Sequence, residues 1–385
     1  MKKIKFLLMA FVAMMTTTAF VACSDDDDNM SNMERYQKAV DETVKNEKKH
    51  DKVILLVAFG STWQQAYDAF DLTRNEYKQE FPGYDVFLSF SSAICINRAM
   101  AAENTAARSF YEPKYWLEAF GRVKYEEIIV QSMQVIPGEE FSRVVNAMKD
   151  FANNSNGDLD DEYMSQVTLK LGMPLMYAPE DVDNLANALD ENFGKYAENG
   201  AMLFMGHGNP DSYDTYKANV RYTQLETALQ GLEKSYAKNY FVGTVDMMDN
   251  FKVQVYDRMK EAGITNGFVY CAPLMSIAGD HAHNDMADEE MIPHRYDNEG
   301  EDLGPVTSFD EFEVNEEGEV EECSWRAYFE IDGSGYQIID EYYKDEGENG
   351  LVKGLLEFKN IRKLYKNHTH NAEVVDYYHS MYPED

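Results

Sequence analysis

Basic side chains are scarce in this chain. Its 385 residues carry 35 Lys and Arg against 69 Asp and Glu, a formal net charge of −34. Phosphate backbones are held by clustered cations, so this balance excludes nucleic acid as a partner. It suits cations, and it slows the approach of a polyanion. Cysteine is scarce too: Cys23, Cys95, Cys271 and Cys323 are the complete set, with no C-x-x-C pair and no zinc-finger spacing. A disulfide framework is therefore excluded as the source of the fold. Cys95 and Cys271 lie in apolar stretches and read as small buried hydrophobes.

The stretch "MKKIKFLLMAFVAMMTTTAFVAC" holds an apolar run too short to span a bilayer comfortably. It follows Lys2, Lys3 and Lys5 and ends on small residues, the pattern of a secretory signal. "FVAC" resembles a lipobox, in which cleavage leaves a diacylated Cys23 as the first mature residue. Ser24 and Asp25 to Asp28 resemble a surface-export signal of some lipoproteins. The expectation is a signal peptide over 1–22 and a polar, helix-friendly lipidated tether over 23–50. The product would be an exported lipoprotein, periplasmic or on the cell surface at the outer membrane. Its contact with membrane would run through Cys23 alone.

Beyond residue 50, apolar runs alternate with helical patterns. "DKVILLVAFGSTW" is a continuous run closed by turn residues, as expected of a strand buried on both faces in a parallel sheet. "YDVFLSFSSA", "YEEIIVQSMQVIPGEE" and "VTLKLGMPLM" follow it, separated by helix-like segments. The order then restarts: "GAMLFMGHGN", "NYFVGTVDMM" and "NGFVYCAPLMSIAG" are strands, with "SYDTYKANVRYTQLETALQGL" and "FKVQVYDRMKEAG" as helices between them. This alternation predicts an α/β fold of two doubly wound units in tandem, about 51–195 and 196–385. From Asp288 to Glu322 there are fifteen Asp or Glu against one Arg. That segment reads as an acidic surface insertion with a hairpin near "FEVNEEGEVEE". "SWRAYFEIDGSGYQIID" then returns to strand-like chemistry, and one or two helices close the chain.

In open parallel sheets, ligands bind beyond the carboxyl ends of the strands. In the second half those ends carry Gly206-His207-Gly208, Thr244-Val245-Asp246 and Gly279-Asp280-His281, with 39 and 35 residues between the named His, Asp and His. Neighbouring parallel strands lie about 5 Å apart, so these side chains can converge. Two imidazoles and a carboxylate suit a divalent transition metal, His207, Asp246 and His281 being the candidate ligands. Gly206 and Gly208 would let a bulky group approach His207. The knot of Asp280, His281, His283, Asp285 and Asp288 also admits a plainer reading, a solvated helix start with Asp280 as its N-cap.

Several stretches together carry a family likeness. "VILLVAFGST", "EEIIVQSMQVIPGEEF", "LKLGMPLM", "MGHG", "YFVGTVD" and above all "PLMSIAGDHAHNDMADE" resemble the anaerobic-type sirohydrochlorin cobaltochelatases, the CbiK family of class II chelatases. "SWRAYF" and "GLLEFKNIRKLY" are similar to that family's closing segments, and the likeness runs with gaps from about residue 51 to 370. The resemblance implies two flavodoxin-like domains facing a cleft. It also implies ATP-independent insertion of a divalent metal into sirohydrochlorin or a related tetrapyrrole, with no nucleotide. Cobalt is the metal it favours; Fe²⁺ and Ni²⁺ are the other candidates. His207 and His281 would be the catalytic, metal-holding residues. The family has Glu where this chain has Asp246, one methylene shorter. Ser61, Thr62, Ser89, Ser91, Ser92 and Gln134, at the strand ends of the first half, could hydrogen-bond the carboxylate arms of a tetrapyrrole. Two other tasks fit the same residues on an exported chain: capture of haem, a corrinoid or metal for uptake, and removal of metal from a scavenged tetrapyrrole.

Overall fold

The apolar runs become two parallel sheets, and the alternation within them shows why they are apolar throughout. The computed structural model describes residues 30–102, 106–210, 212, 214, 217–297, 299–344 and 350–374. The expected signal peptide and Cys23 lie outside the described residues. In chain order the first part runs α1 (Asn32–Glu47), β1 (Lys52–Ala58), α2 (Gln64–Glu80), β2 (Asp85–Phe90), α3 (Ala93–Met100), α4 (Pro113–Arg122), β3 (Glu127–Ser132), α5 (Glu139–Ala152), α6 (Asp161–Met164), β4 (Thr168–Gly172) and α7 (Pro179–Asn199). The second runs β5 (Gly200–Gly206), α8 (Val220–Gln230), β6 (Tyr240–Thr244), α9 (Lys252–Glu261), β7 (Gly267–Pro273), β8 (His294–Tyr296), β9 (Asp302–Pro305), α10 (Trp325–Glu330), β10 (Tyr336–Gln337), α11 (Glu341–Lys344), α12 (Lys359–His370) and β11 (Glu373–Val374).

The first sheet is ordered β11-β4-β3-β1-β2 and the second β10-β7-β5-β6. In each, the first strand of the unit lies inside, its second strand on one flank and its third on the other. That is the flavodoxin-type doubly wound order, with all but β11 parallel. The tandem α/β expectation is met. Along β1, Val53, Leu55 and Val57 enter an outer core beneath α1, α4 and α5. Ile54, Leu56 and Ala58 enter a central core that also takes Met202 and Phe204 of β5. Ala201, Leu203 and Met205 face a third core beneath α9 and α10. Side chains alternate across a strand, so a sheet covered on both faces requires apolar residues at every position.

Several segments are built differently from the sequence expectation. The segment expected as a tether contains α1, started by a Ser31–Glu34 capping box, with Val40 and Val44 fully buried against the first lobe. The hairpin of the acidic insertion is β8–β9, upstream of "FEVNEEGEVEE". In the latter stretch Asn315 instead caps a turn by accepting from the Glu317 and Glu319 amides. "SWRAYFE" is a helix rather than a strand, because Ser324 caps it through the Ala327 amide. α8 begins at Val220, and the described residues 217–219 precede it. Gly263 does end α9, with φ of +81°. The chain finally returns to the first lobe. Ile361 and Tyr365 of α12 are fully buried in the central core, Arg362 pairs with Glu76 of α2 at 2.7 Å, and β11 adds an antiparallel edge to β4. No described helix is long and apolar enough to cross a membrane.

The α12 return also seats Gly354 against the loop that leaves β7. A Cβ on Gly354 would fall on the backbone of Ile277 and 2.6 Å from the amide nitrogen of Ala278. Backbone cannot yield as a flexible side chain does. Gly354→Ala should therefore lose about 1–3 kcal/mol of stability in urea unfolding. An unchanged midpoint would contradict this packing.

Candidate metal centre

Register brings the three strand ends level. Gly206 of β5 pairs with Thr244 of β6, and Met205 pairs with Pro273 of β7. The ladder continues one step further: the Val245 amide donates to Gly206 O, the Asp246 amide to His207 O at 2.9 Å, and the Leu274 amide to Met205 O at 2.8 Å. His207 and Asp246 therefore leave adjacent strands side by side, with His207 Nδ1 3.4 Å from Asp246 Oδ2. After β7 the chain reaches a π-helical turn, Ala282–Met286, preceded by His281. The His281 ring meets the His207 ring edge to face, centroids 4.7 Å apart and planes at 88°. Residues 39 and 35 positions apart in the chain are gathered in one place.

The neighbours of each ring determine which nitrogen faces outward. His207 Nδ1 lies 2.7 Å from the carbonyl of Gly208, and His281 Nδ1 lies 2.6 Å from Asp285 Oδ2. A carbonyl and a carboxylate only accept, so each Nδ1 carries the proton. Nε2 of both rings is then the lone-pair donor, the arrangement usual for metal-binding imidazoles held from behind. His281 titrates above the ordinary histidine value: burial pulls it down, but the Asp285 hydrogen bond and charge, with Asp246 and Asp280 behind, outweigh that. Asp246 is set against Nδ1 of His207, the protonated side of the ring. Among the described residues no three His, Cys, Asp or Glu side chains are arranged, as they stand, to hold a metal ion. His207, Asp246 and His281 keep 47%, 38% and 43% of their side-chain surface exposed.

A cavity of about 200 Å³ adjoins the His281 ring, bounded by Asp246, His281, Asp285, Lys252, Glu319 and Glu322 among others. A water needs about 10–15 Å³ of such space, so a hydrated divalent ion fits. The last two carboxylates come from the acidic insertion. It is held down by Lys252, only 5% exposed, whose ammonium donates to Val320 O at 2.8 Å and lies 3.8 Å from Glu319.

Loops after the first-lobe strands meet this site from the other side. Met133 O accepts from Ser276 and from Tyr365, and Gly138 packs against the Asn209 side chain. Ser61, Thr62, Ser89, Ser91, Ser92 and Gln134 are all buried. Ser61 accepts from the Trp63 amide, Ser92 caps α3 through Cys95, and Ser89 donates to Tyr111 O. Ser91 donates to Glu140, and the Gln134 side-chain carbonyl accepts from Ser132. In this conformation those hydroxyls serve turns, caps and neighbouring loops. The two glycines flanking His207 also have local reasons. A Cβ on Gly206 would enter the Tyr222 ring, and Gly208 has φ of +78°. Asp280 is not an N-cap. Its carboxylate accepts from Trp63 Nε1 at 2.6 Å and pairs with Arg98 at 3.4 Å, both on the first lobe.

Sequence reasoning passed over Trp63, Arg98, Lys252 and Glu140. The last is a first-lobe carboxylate raised by burial against the opposing charges of Arg143 and His207. Only Trp63 carried a usable signal, an aromatic placed directly after a strand-end turn in "GSTW".

The sequence also matches known proteins. The family model described as cobalt chelatase (CbiK) matches residues 52–307. A sirohydrochlorin cobaltochelatase of Salmonella typhimurium is 25% identical over 240 residues, 62% of this chain and 81% of that protein. The sirohydrochlorin cobaltochelatase CbiKC of Nitratidesulfovibrio vulgaris is 28% identical over 61% of this chain and 75% of its own length. Among solved structures, SirB from Bacillus subtilis with Fe³⁺ is remotely similar, with a TM-score of 0.39 and 15% identity over 58% of this chain and 77% of that one.

The back-side carboxylate yields a pH prediction. Asp285 favours the charged imidazolium, so Asp285→Asn should lower the titration midpoint of His281, read by NMR of the histidine ring in metal-free protein. A midpoint that stays or rises would show that Asp285 does not govern this ring.

Proposed function

The chain belongs to the cobalt chelatase (CbiK) family, and from that premise we propose that it inserts a divalent cation, cobalt foremost, into sirohydrochlorin without a nucleotide. The observation that carries this reading is the pair of imidazoles at two strand ends. Both have Nδ1 committed to an acceptor and Nε2 left as a donor.

Metallation exchanges one cation for two pyrrole protons: the macrocycle loses two N–H protons and gains M²⁺. The hydrated ion enters the carboxylate-lined cavity, and Nε2 of His207 and His281 replace part of its water. Asp246 swings away from His207 Nδ1 to supply the third donor. Being one methylene shorter than the Glu of the family, it holds the ion less closely and eases transfer. A half-exposed set of three donors leaves positions open for the incoming pyrrole nitrogens. The released protons pass to an imidazole Nε2 freed as the cation leaves it, or to a nearby carboxylate. The macrocycle lies where the loops of the two lobes meet. Ser61, Thr62, Ser92 and Gln134 border those loops and contact its arms once they exchange their present partners. Iron(II) and nickel(II) suit the same nitrogen and oxygen donors.

The acid-lined cavity also favours a second reading, cation capture without turnover, which fits an exported chain. Export itself is proposed from the Lys-rich apolar start and "FVAC" alone. Metabolic labelling with a clickable fatty acid should tag the full chain, and Cys23→Ser should remove the tag. Equal labelling of both would refute lipidation at that residue.

In a timed incubation with sirohydrochlorin and Co²⁺, the protein should accelerate metallation over the spontaneous rate. His207→Ala and His281→Ala should each cut kcat/KM by about a hundredfold or more. Cobalt bound tightly with no acceleration would favour capture, and wild-type rates in both variants would place the chemistry elsewhere.

A further inference from the structure

The turn that carries His281 is gripped from the opposite lobe. Trp63 stands at the start of α2, directly after the β1 strand end. Its indole lies flat on the His283 ring, centroids 3.8 Å apart and planes within 13°, while its Nε1–H donates to Asp280 Oδ1 at 2.6 Å. Arg98 of α3 reaches the other oxygen of the same carboxylate at 3.4 Å. Asp280 immediately precedes His281 and His283 follows two positions later, so first-lobe side chains hold both flanks of the imidazole. The backbone between them is a single short helical turn, its Ala282 and His283 amides donating to Gly279 O, and it runs at once into the rare π turn Ala282–Met286 rather than into a long regular helix. An N–H bond to a carboxylate is stronger than a neutral one, and an aromatic stack fixes a plane as well as a distance.

Resting on the chelatase reading above, we infer that Trp63 is a positioning residue for His281: it holds the turn so that Nε2 faces His207, and it ties the cation site of one lobe to the placement of the other. Asp285 sets which nitrogen of His281 is protonated; Trp63 sets where the ring stands. Residues that hold a ligand from outside typically change metal affinity or activity by about 10–100-fold when removed.

The test uses the full chain with Trp63→Leu, which removes both the stack and the hydrogen bond, and Trp63→Phe, which keeps a ring but loses the donor. Asp280→Asn serves as the second route should Trp63→Leu fail to fold, as judged by its thermal transition. Histidine-ring NMR of metal-free protein is the primary readout, with His281 assigned from His281→Gln. Its resonances should move in Trp63→Leu and move less in Trp63→Phe. Co²⁺ affinity by calorimetry should fall about tenfold or more in Trp63→Leu, with KM for cobalt rising by a similar factor and kcat changing less. Unmoved His281 resonances in Trp63→Leu overturn the inference whatever cobalt does. Moved resonances in a family of proteins that binds no cobalt, wild type included, would sustain the positioning role and refute the chelatase reading instead.

Discussion

The molecule's chemistry depends on strand register. β5 lies between β6 and β7, and the hydrogen-bond ladder sets Gly206 opposite Thr244 and Met205 opposite Pro273. Because the three strands run the same way, their carboxyl ends finish at one height, and whatever follows each emerges into the same space. A slip of one residue would turn His207 to the opposite face and separate it from Asp246. That register is itself fixed by burial. Met202 and Phe204 must enter the central core while Ala201, Leu203 and Met205 enter the third core beneath α9 and α10, and only one alignment satisfies both.

Charge and burial then divide the labour. The acidic excess that slows a polyanion is dense in a segment folded down beside His281, where Lys252 neutralises part of it from within. The carboxylates left facing the cavity make a cation's entry favourable and a polycarboxylate's unfavourable. The insertion is a wall of the centre rather than a detached ornament.

What was legible in the sequence is what leaves a periodic or terminal mark. Unbroken apolar runs announced strands covered on both faces, and a His or Asp just beyond such a run announced a strand-end side chain. α1 was harder because only Val40 and Val44 of its sixteen residues are buried, so polar composition outweighed the signal. The hairpin at 294–305 and the helix at 325–330 were misjudged because β-branched and aromatic residues there pack around local turns and a serine cap. Trp63, Arg98 and Asp280 were invisible as a group. Their contacts join positions 217 and 182 apart in the chain, and no spacing rule encodes a pairing across two lobes. The serines of the first half carry a different ambiguity. Ser61, Ser89 and Ser92 hydrogen-bond nearby backbone groups, and no spacing in the sequence marks those partners.

The return of α12 and β11 to the first sheet gives the molecule two covalent crossings between its halves, one through α7 and one near the tail. Severing the chain after Asn199 would therefore not release two self-sufficient fragments, since the downstream piece carries the edge strand and a core helix of the upstream one. A body stitched at both ends resists being pulled into separate halves more than one joined by a single thread.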